Sequence, residues 1–319
     1  MKIVIVGGVA GGASAAARIR RLDERAEVVV FERTGFVSYA NCGLPYYIGG
    51  VITDEGELTL QTPESFWNRF RIDVRVRHEV TAIDTDRKTV TVRELDTGNT
   101  YEESYDKLIL SPGAKPIQPN IPGADSKKVF TLRTVEDTLK IHKYVKTEKP
   151  KRATVIGGGF IGIEAAENLA RQGVEVTVVQ RSNHLLPPFD FDMACILHTE
   201  MISHGVNLML NTEVTEIGEK DGCLALKTSE GCEFETDMVL FAIGVVPDTA
   251  LAKEVGLKLG IKGSIIVNDR METSVSDIYA VGDAVEVKHY VTENKAHIAL
   301  AGPANKQGRI AADNICGGN

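Results

Sequence analysis

In this 319-residue chain the side chain with the most chemistry to offer is the thiol of Cys42, set in the stretch from Phe36 to Gly50, FVSYANCGLPYYIGG. A thiolate exchanges with disulfides, and a thiol can be oxidised to a sulfenic acid. An internal dithiol relay would need a second cysteine a few residues on, but Gly43, Leu44, Pro45, Tyr46 and Tyr47 follow instead. A disulfide made by Cys42 must then be with a small-molecule thiol or with a distant residue. Cys195, Cys223, Cys232 and Cys316 are scattered, with no CxxC pair and no histidine at metal-ligand spacing. They read as buried apolar thiols, with no disulfide framework and no metal site.

The elements that must position such chemistry are two glycine-rich turns. Lys2 to Val6 reads as a buried parallel strand, and Gly7-Gly8-Val9-Ala10-Gly11-Gly12 turns it into a helix carrying Ser14, Arg18 and Arg21. Glu27 to Glu32 forms the next strand. A strand, a glycine turn, a helix and an acidic residue closing the second strand make a βαβ dinucleotide-binding signature. The glycines allow the tight turn and close backbone approach to a pyrophosphate, and the acid meets a ribose hydroxyl. Read from Gly7, the middle glycine is replaced by Val9, a crowding that Gly8 and Gly11 partly offset. The same unit recurs after Lys149-Pro150: Ala153 to Ile156 is a strand, Gly157-Gly158-Gly159-Phe160-Ile161-Gly162 satisfies GxGxxG fully, Glu164 to Gln172 is helical, and Glu175 to Gln180 is the second strand. Two copies imply two dinucleotides. Gln180 and Arg181 stand where an acid is expected, which leaves a ribose 2′-hydroxyl and a 2′-phosphate both open, hence NADH or NADPH.

Elsewhere the chain reads as connecting and repeating structure. TPESFW is a capped helix leading into the strand IDVRVR, and alternating strands with turns at Asp86-Arg87 and Thr97-Gly98 form a β-meander. Val206 to Asp237 is a second strand-rich passage. Ser111-Pro112-Gly113 ends an apolar strand with a small-residue turn, and Ala242-Ile243-Gly244 echoes it, so the duplication covers whole domains. The segment SDIYAVGD delivers Asp283 from a strand to a helix start, as a hydrogen-bond acceptor or an N-cap, and IALAGPANKQGRIAADNI reads as a small-residue helix. Ser14, Arg18 and Arg21 fall at i, i+4 and i+7 and share one helix face, either a solvated basic strip or a phosphate clamp.

A formal charge of -8 lacks the basic field that nucleic acid or anionic membrane requires, so neither is expected as a partner. The apolar strand at Met1 has no export-signal arrangement and no run reaches spanning length, so the expected location is cytoplasmic.

Together these pieces resemble the pyridine nucleotide-disulfide oxidoreductases with two dinucleotide-binding domains, over essentially the whole chain. SYANCGLPYYIGG, GGVAGG and AGPANKQGR are similar to the single-cysteine branch of coenzyme A disulfide reductases, coenzyme A persulfide reductases and NADH oxidases or peroxidases. The resemblance implies an α/β fold of two Rossmann-like FAD- and NAD(P)-binding domains with parallel sheets, helices and β-meander insertions. It implies a discontinuous FAD-binding domain, 1–111 and 245–319, interrupted by an NAD(P)-binding domain, 112–244. Carried over by residue, it gives Gly7, Gly8, Ala10, Gly12, Glu32, Arg33, Val80, Gly113 and Asp283 to FAD. Gly157, Gly159, Phe160, Ile161, Gly162, Glu164, Gln180 and Gly244 go to the nicotinamide nucleotide. Ser14, Arg18, Arg21, Ser38 and Asn41, with Arg71 and Arg69 as weaker additions, go to a coenzyme A substrate, and Cys42 is the redox-active thiol. The family continues into a C-terminal homodimerisation domain, and this chain stops at Asn319, so that domain is expected to be absent. The implied activity passes electrons from NAD(P)H through FAD to Cys42, which reduces coenzyme A disulfide, persulfide or polysulfide. The alternatives are an NADH oxidase or peroxidase cycling Cys42 through a sulfenic acid, and a redox-sensing or electron-delivery flavoprotein.

Overall fold

In a computed structural model that describes residues 1–317, the chain divides into two units. One comprises residues 1–39, 59–115 and the segment from Val246 onward; the other comprises 40–58 and 116–245. Residues 40–58, expected with the first unit, cluster with the second, and residues 112–115 remain with the first. The last two residues of the expected segment 245–319 lie outside the described residues. The helices along the chain are α1 (Ala10–Leu22), α2 (Leu44–Ile48), α3 (Pro63–Phe70), α4 (Val135–Glu148), α5 (Phe160–Arg171), α6 (Phe191–Ser203), α7 (Ala250–Glu254) and α8 (Ala301–Ile315).

The first unit is built on a five-stranded parallel sheet in the order Ile278–Ala280, Lys107–Leu110, Lys2–Val6, Glu27–Glu32, Asp73–Val76. The central strand, KIVIV, is apolar on both faces because both are covered, as parallel strands require. Val4 lies between Val29 and Leu108 in register. Ile3 and Ile5 contribute to the core on one face together with Ala15, Ala16 and Ile19 of α1, while Val4 joins the core on the other face with Leu108 and Leu110. Each such aliphatic side chain stabilises the fold by roughly 1.5–3 kcal/mol. Small residues let α1 and α8 approach closely: a Cβ on Gly308 would lie 2.4 Å from the carbonyl oxygen of Gly11. A three-stranded antiparallel meander, His78–Asp84, Thr89–Glu94 and Thr100–Ser104, and a small sheet of Ile265–Ile266, Val285–Lys288 and Lys295–Ala296 belong to the same unit.

The second unit repeats the plan, in the order Val129–Thr131, Met238–Phe241, Arg152–Ile156, Glu175–Val179, Asn207–Met209. Its meander is Val214–Lys220, Cys223–Thr228 and Glu233–Thr236. The strand that closes each sheet arrives from the opposite direction along the chain. In the first unit it follows the other four strands, and in the second it precedes them.

Two kinds of helix start bear on the site. Thr62 caps α3 and Thr134 caps α4, each through a capping box, with Glu64 or Glu136 and Asp137 in the first turn. Helices α1 and α5 follow the glycine turns with no side-chain cap and no acidic residue in the first turn. The turn at Asp283 is a short 3-10 segment, Gly282–Ala284, rather than a helix cap, since α8 begins at Ala301.

Candidate functional site

Each glycine turn is dictated by close backbone approach. Gly7 has φ 96°, and a Cβ there would lie 2.0 Å from the carbonyl oxygen of Ser111. Gly157 has φ 111°, and its Cβ would lie 2.4 Å from the carbonyl oxygen of Ala242. A Cβ on Gly12 or Gly162 would fall 1.9 Å from the carbonyl oxygen of Gly7 or Gly157. Gly159 differs, having nothing within 4 Å of its hypothetical Cβ. Gly8 and Gly11, which the sequence offered as compensation for Val9, are instead used by packing. Their Cβ atoms would meet Val37 at 2.8 Å and Val281 at 2.9 Å.

The residue that closes the second strand of each unit holds its turn. Glu32, only 6% exposed, accepts from the Gly8 amide through Oε2 (2.9 Å), while Oε1 accepts from the amide and hydroxyl of Thr34 (2.9 Å each). In the second unit the Gly158 amide donates to Gln180 Oε1 (2.9 Å). The amide group of Gln180 donates in turn to Ser182 Oγ (2.6 Å), which donates to the carbonyl of His184 (2.8 Å). Arg33, after Glu32, is paired with Asp248 (2.8 Å). Arg181, after Gln180, is exposed and has no ion-pair partner among the described residues.

These two cradles fit the phosphates of dinucleotides on two shared observations, uncapped helix amides and no first-turn acid to repel an anion, and the second adds the open position at Gly159. Ala10 begins α1, Phe160 and Ile161 begin α5, and Phe160 is exposed. Gly113 and Gly244 occupy the turns after the strands Lys107–Leu110 and Met238–Phe241, with φ 73° and 114°; Gly113 O accepts from the Asp248 amide and Gly244 O from the Ile117 amide. Asp283 is half-buried, and its carbonyl accepts from His297 Nε2 (2.6 Å). The Val80 side chain is buried in the core, so its backbone alone is left for a ligand.

Cys42 lies exposed in the 3-10 turn Asn41–Gly43, with Asn41 beside it. The following helix, α2, packs on α4 and α5 of the same unit. Gln172 Nε2 donates to the carbonyl of Gly49 (2.7 Å), and only glycine fits at 49, where a Cβ would lie 2.0 Å from Asn168 Oδ1. Burial and the carboxylates of Glu164 and Glu167 raise the Tyr46 phenol above its ordinary range. Glu164 is raised by burial and then by Glu167. The other cysteines are free but less buried than expected: Cys232 is exposed in the turn between two meander strands, and Cys195, Cys223 and Cys316, the last just past the end of α8, are half-buried.

In the first unit, Ser14, Arg21 and Ser38 line one cavity of about 210 Å³, together with Ala13, Ala17, Gln61, Phe66, Phe70 and Arg309. Ser14 Oγ donates to Asn305 of α8 (2.8 Å), and Ser38 is held at φ 48° with its amide donating to Gly8. Arg18, though on the same helix face, turns to α8 and pairs with Asp313 (2.6 Å). Arg71 ends α3 in the left-handed region with its guanidinium over Trp67, and Arg69 lies over Phe70. Neither of them lines the cavity. Arg309 and Gln61 were not visible as site residues, because no local spacing ties them to α1. The usable signal was Gly308, whose missing side chain brings α8 against α1 and carries Arg309 with it.

A family model described as pyridine nucleotide-disulphide oxidoreductase matches residues 1–308. A coenzyme A disulfide reductase of Staphylococcus aureus (strain JH9) is 39% identical over 316 residues, covering 99% of this chain and 70% of that protein. Among solved structures, reduced Bacillus anthracis CoADR-RHD is 51% identical with a TM-score of 0.97, over 99% of this chain; this chain spans 57% of its length. An engineered water-forming NADPH oxidase bound to NADPH, a variant of the Lactobacillus brevis NADH oxidase, is 35% identical with a TM-score of 0.93, over 99% of this chain and 69% of its own. Its five substitutions replace a glycine, an aspartate, an alanine, a methionine and a proline by alanine, alanine, arginine, serine and arginine. At the spacing of those positions this chain has Gly162, Gln180, Arg181, Ser182 and Pro187, with the glycine and proline at the two ends fixing the register. With the family match running through both glycine turns and the cysteine segment, the chain belongs to the pyridine nucleotide-disulphide oxidoreductase family.

Proposed function

We propose that this chain is an FAD-dependent oxidoreductase that takes electrons from a reduced nicotinamide nucleotide and uses Cys42 to reduce a coenzyme A disulfide or persulfide. The observation that carries the substrate reading is the convergence of Ser14, Arg21 and Ser38 with Arg309 on one cavity. Two arginines without ion-pair partners among the described residues, beside hydroxyl groups, suit the phosphates of coenzyme A. Ser38 belongs to the same stretch as Cys42 in the sequence, so the anchor and the thiol are encoded together.

FAD would be held by the first turn (Gly7, Gly8, Ala10, Gly12), by Glu32 at the ribose, and by Arg33, Val80, Gly113 and Asp283. The nicotinamide nucleotide would be held by Gly157, Gly159, Phe160, Ile161, Gly162, Gln180 and Gly244, with Glu164 beside its ring. Bound FAD supplies two-electron transfer between a nicotinamide and a thiol–disulfide couple. The Cys42 thiolate attacks one sulfur of the coenzyme A disulfide; a new S–S bond forms as the old one breaks, and one coenzyme A leaves as a thiolate that takes up a proton. Two electrons originating from the nicotinamide nucleotide, with one further proton, then open the mixed disulfide and release the second coenzyme A. Asn41 and Arg71 are lesser substrate contacts in this reading. Arg18 contributes only by leaving Asp313.

The test is intact mass after exposure of the flavin-loaded protein to coenzyme A disulfide. One coenzyme A adduct is expected on the native chain and none on Cys42→Ser, which also loses coenzyme A disulfide reduction. Substantial reductase activity in the serine variant sinks the mechanism. Turnover of hydrogen peroxide or oxygen without any coenzyme A species favours the oxidase or peroxidase reading. Undiminished delivery of electrons to a protein acceptor by Cys42→Ser, with no small-molecule disulfide turnover, favours the electron-delivery flavoprotein.

A further inference from the structure

We infer that the second nucleotide site selects a 2′-phosphorylated nicotinamide nucleotide, with Arg181 as the cation facing the 2′-phosphate and Ser182 as a hydrogen-bond donor to it once its hydroxyl turns from the His184 carbonyl. The inference rests on the second turn being a nicotinamide nucleotide site. Three observations support it, and the first is the chemistry of the residue closing the second strand. In the first unit that residue is a carboxylate, Glu32, which suits a ribose hydroxyl and repels a phosphate. In the second unit Gln180 performs the same structural task, accepting the Gly158 amide at the same 2.9 Å, and brings no negative charge. The turn is therefore kept while the repulsion is removed.

The second observation is the state of the following arginine. Arg33 is neutralised by Asp248, whereas Arg181 is exposed and has no ion-pair partner among the described residues. An exposed arginine is ordinarily a solvated surface group. Here it adjoins Gln180, and Gln180 is bonded to Ser182, whose hydroxyl sits in the same three-residue bend. The third observation is independent of these bonds. The NADPH-bound oxidase variant has arginine and serine introduced at the two positions whose spacing corresponds to Arg181 and Ser182, and has lost an aspartate at the position of Gln180. This chain carries the arginine and serine natively and has no aspartate there, while Gly162 and Pro187 match the unsubstituted NADH oxidase.

Equilibrium binding of two nucleotide fragments to the flavin-loaded protein, followed by titration calorimetry, tests this. Adenosine 2′,5′-bisphosphate should bind the native chain at least about tenfold more tightly than adenosine 5′-monophosphate, as a charge-assisted phosphate contact implies. Arg181→Ala should bring the ratio near one while leaving the affinity for the monophosphate unchanged, Arg181→Lys should recover part of it, and Gln180→Glu should lower it. Thermal unfolding and the bound-flavin absorbance report whether each variant is folded. Equal affinities in the native chain, or a ratio that survives Arg181→Ala, overturns the inference while the site reading stands. If neither fragment binds, the reading of the second turn as a nucleotide site falls and the inference falls with it.

Discussion

The two glycine turns are built from one plan and are used differently. In both, the first glycine sits at positive φ against a backbone carbonyl, and the third packs on the carbonyl of the first. In both, the amide after the first glycine donates to the side chain that closes the next strand, at the same distance. They diverge where the fold makes no demand. The middle position is Val9 in one turn and Gly159 in the other, and a Cβ at Gly159 would touch nothing. Gly159 is thus the position of the second turn that packing leaves open, as the proposed nucleotide site requires. The closing residue diverges in charge, Glu32 against Gln180, without altering the bond to the turn. The lesson is that the fold fixes the hydrogen-bond geometry of the nucleotide cradle and leaves its charge open to selection for a particular nucleotide.

The strongest way to break this comparison is at the first glycines. Gly7→Ala and Gly157→Ala should each cost about 3 kcal/mol or more, because both place a Cβ inside a carbonyl contact at a backbone angle that L-residues avoid. Gly159→Ala should leave stability within about 1 kcal/mol of native. It should weaken nicotinamide nucleotide binding alone. Denaturant unfolding with a binding titration checks the set, and a Gly159→Ala variant as unstable as Gly157→Ala removes the distinction between fold and ligand positions.

Next in size is Glu32→Ala, which strands a buried amide and two groups of Thr34 and should cost about 2–3 kcal/mol. Gln180→Ala, losing one neutral acceptor for the turn, should cost about 1 kcal/mol. Equal losses measured by thermal unfolding would show that the two extra bonds from Thr34 to Glu32 add nothing to the stability of the turn.

At the cavity the comparison is between arginines that line it and one on the same face of α1 that does not. Arg21→Ala and Arg309→Ala should each weaken coenzyme A disulfide about tenfold, as loss of a charge-assisted contact does. Arg18→Ala should change it less, since its guanidinium is already held by Asp313. Steady-state KM for coenzyme A disulfide, against KM for an artificial acceptor, reads this out, and an Arg18→Ala effect equal to that of Arg21→Ala contradicts the placement.

How much of this was readable from the residues follows from whether a feature is local. The apolar run Lys2 to Val6, the two turns and the capping threonine of α3 are local patterns, and each appears where its period places it. Helical spacing put Ser14, Arg18 and Arg21 on one face but could not show that Asp313, far along the chain, would draw Arg18 aside. The strand Val129–Thr131 is three residues long and too short to carry a period, so the edge of the second sheet was not legible. The grouping of residues 40–58 with the second unit depends on Gly49 fitting beneath Asn168, a contact between distant segments.

The smallest expected effect separates the units by pH. In the first unit, hydrogen bonds from Lys107 and then Lys88 hold the Asp277 carboxyl below its ordinary value. A depressed carboxyl contributes stability that is present above its unfolded value and is lost as pH falls through the folded one, so Asp277 steepens acid unfolding. In the second unit, burial and then Glu167 raise Glu164. A raised carboxyl binds its proton more tightly when folded, so the stability of the chain declines as pH climbs from the unfolded value through the folded one. Asp277→Asn should therefore cost up to about 1 kcal/mol at neutral pH and nearly nothing in strong acid. Glu164→Gln should have the opposite sign, a small gain at neutral pH that disappears below the unfolded carboxylate range. Thermal midpoints of both variants and the native chain across the acid range check the signs. A Glu164→Gln variant that loses stability at neutral pH would show that the carboxylate is held by a favourable partner rather than penalised by burial.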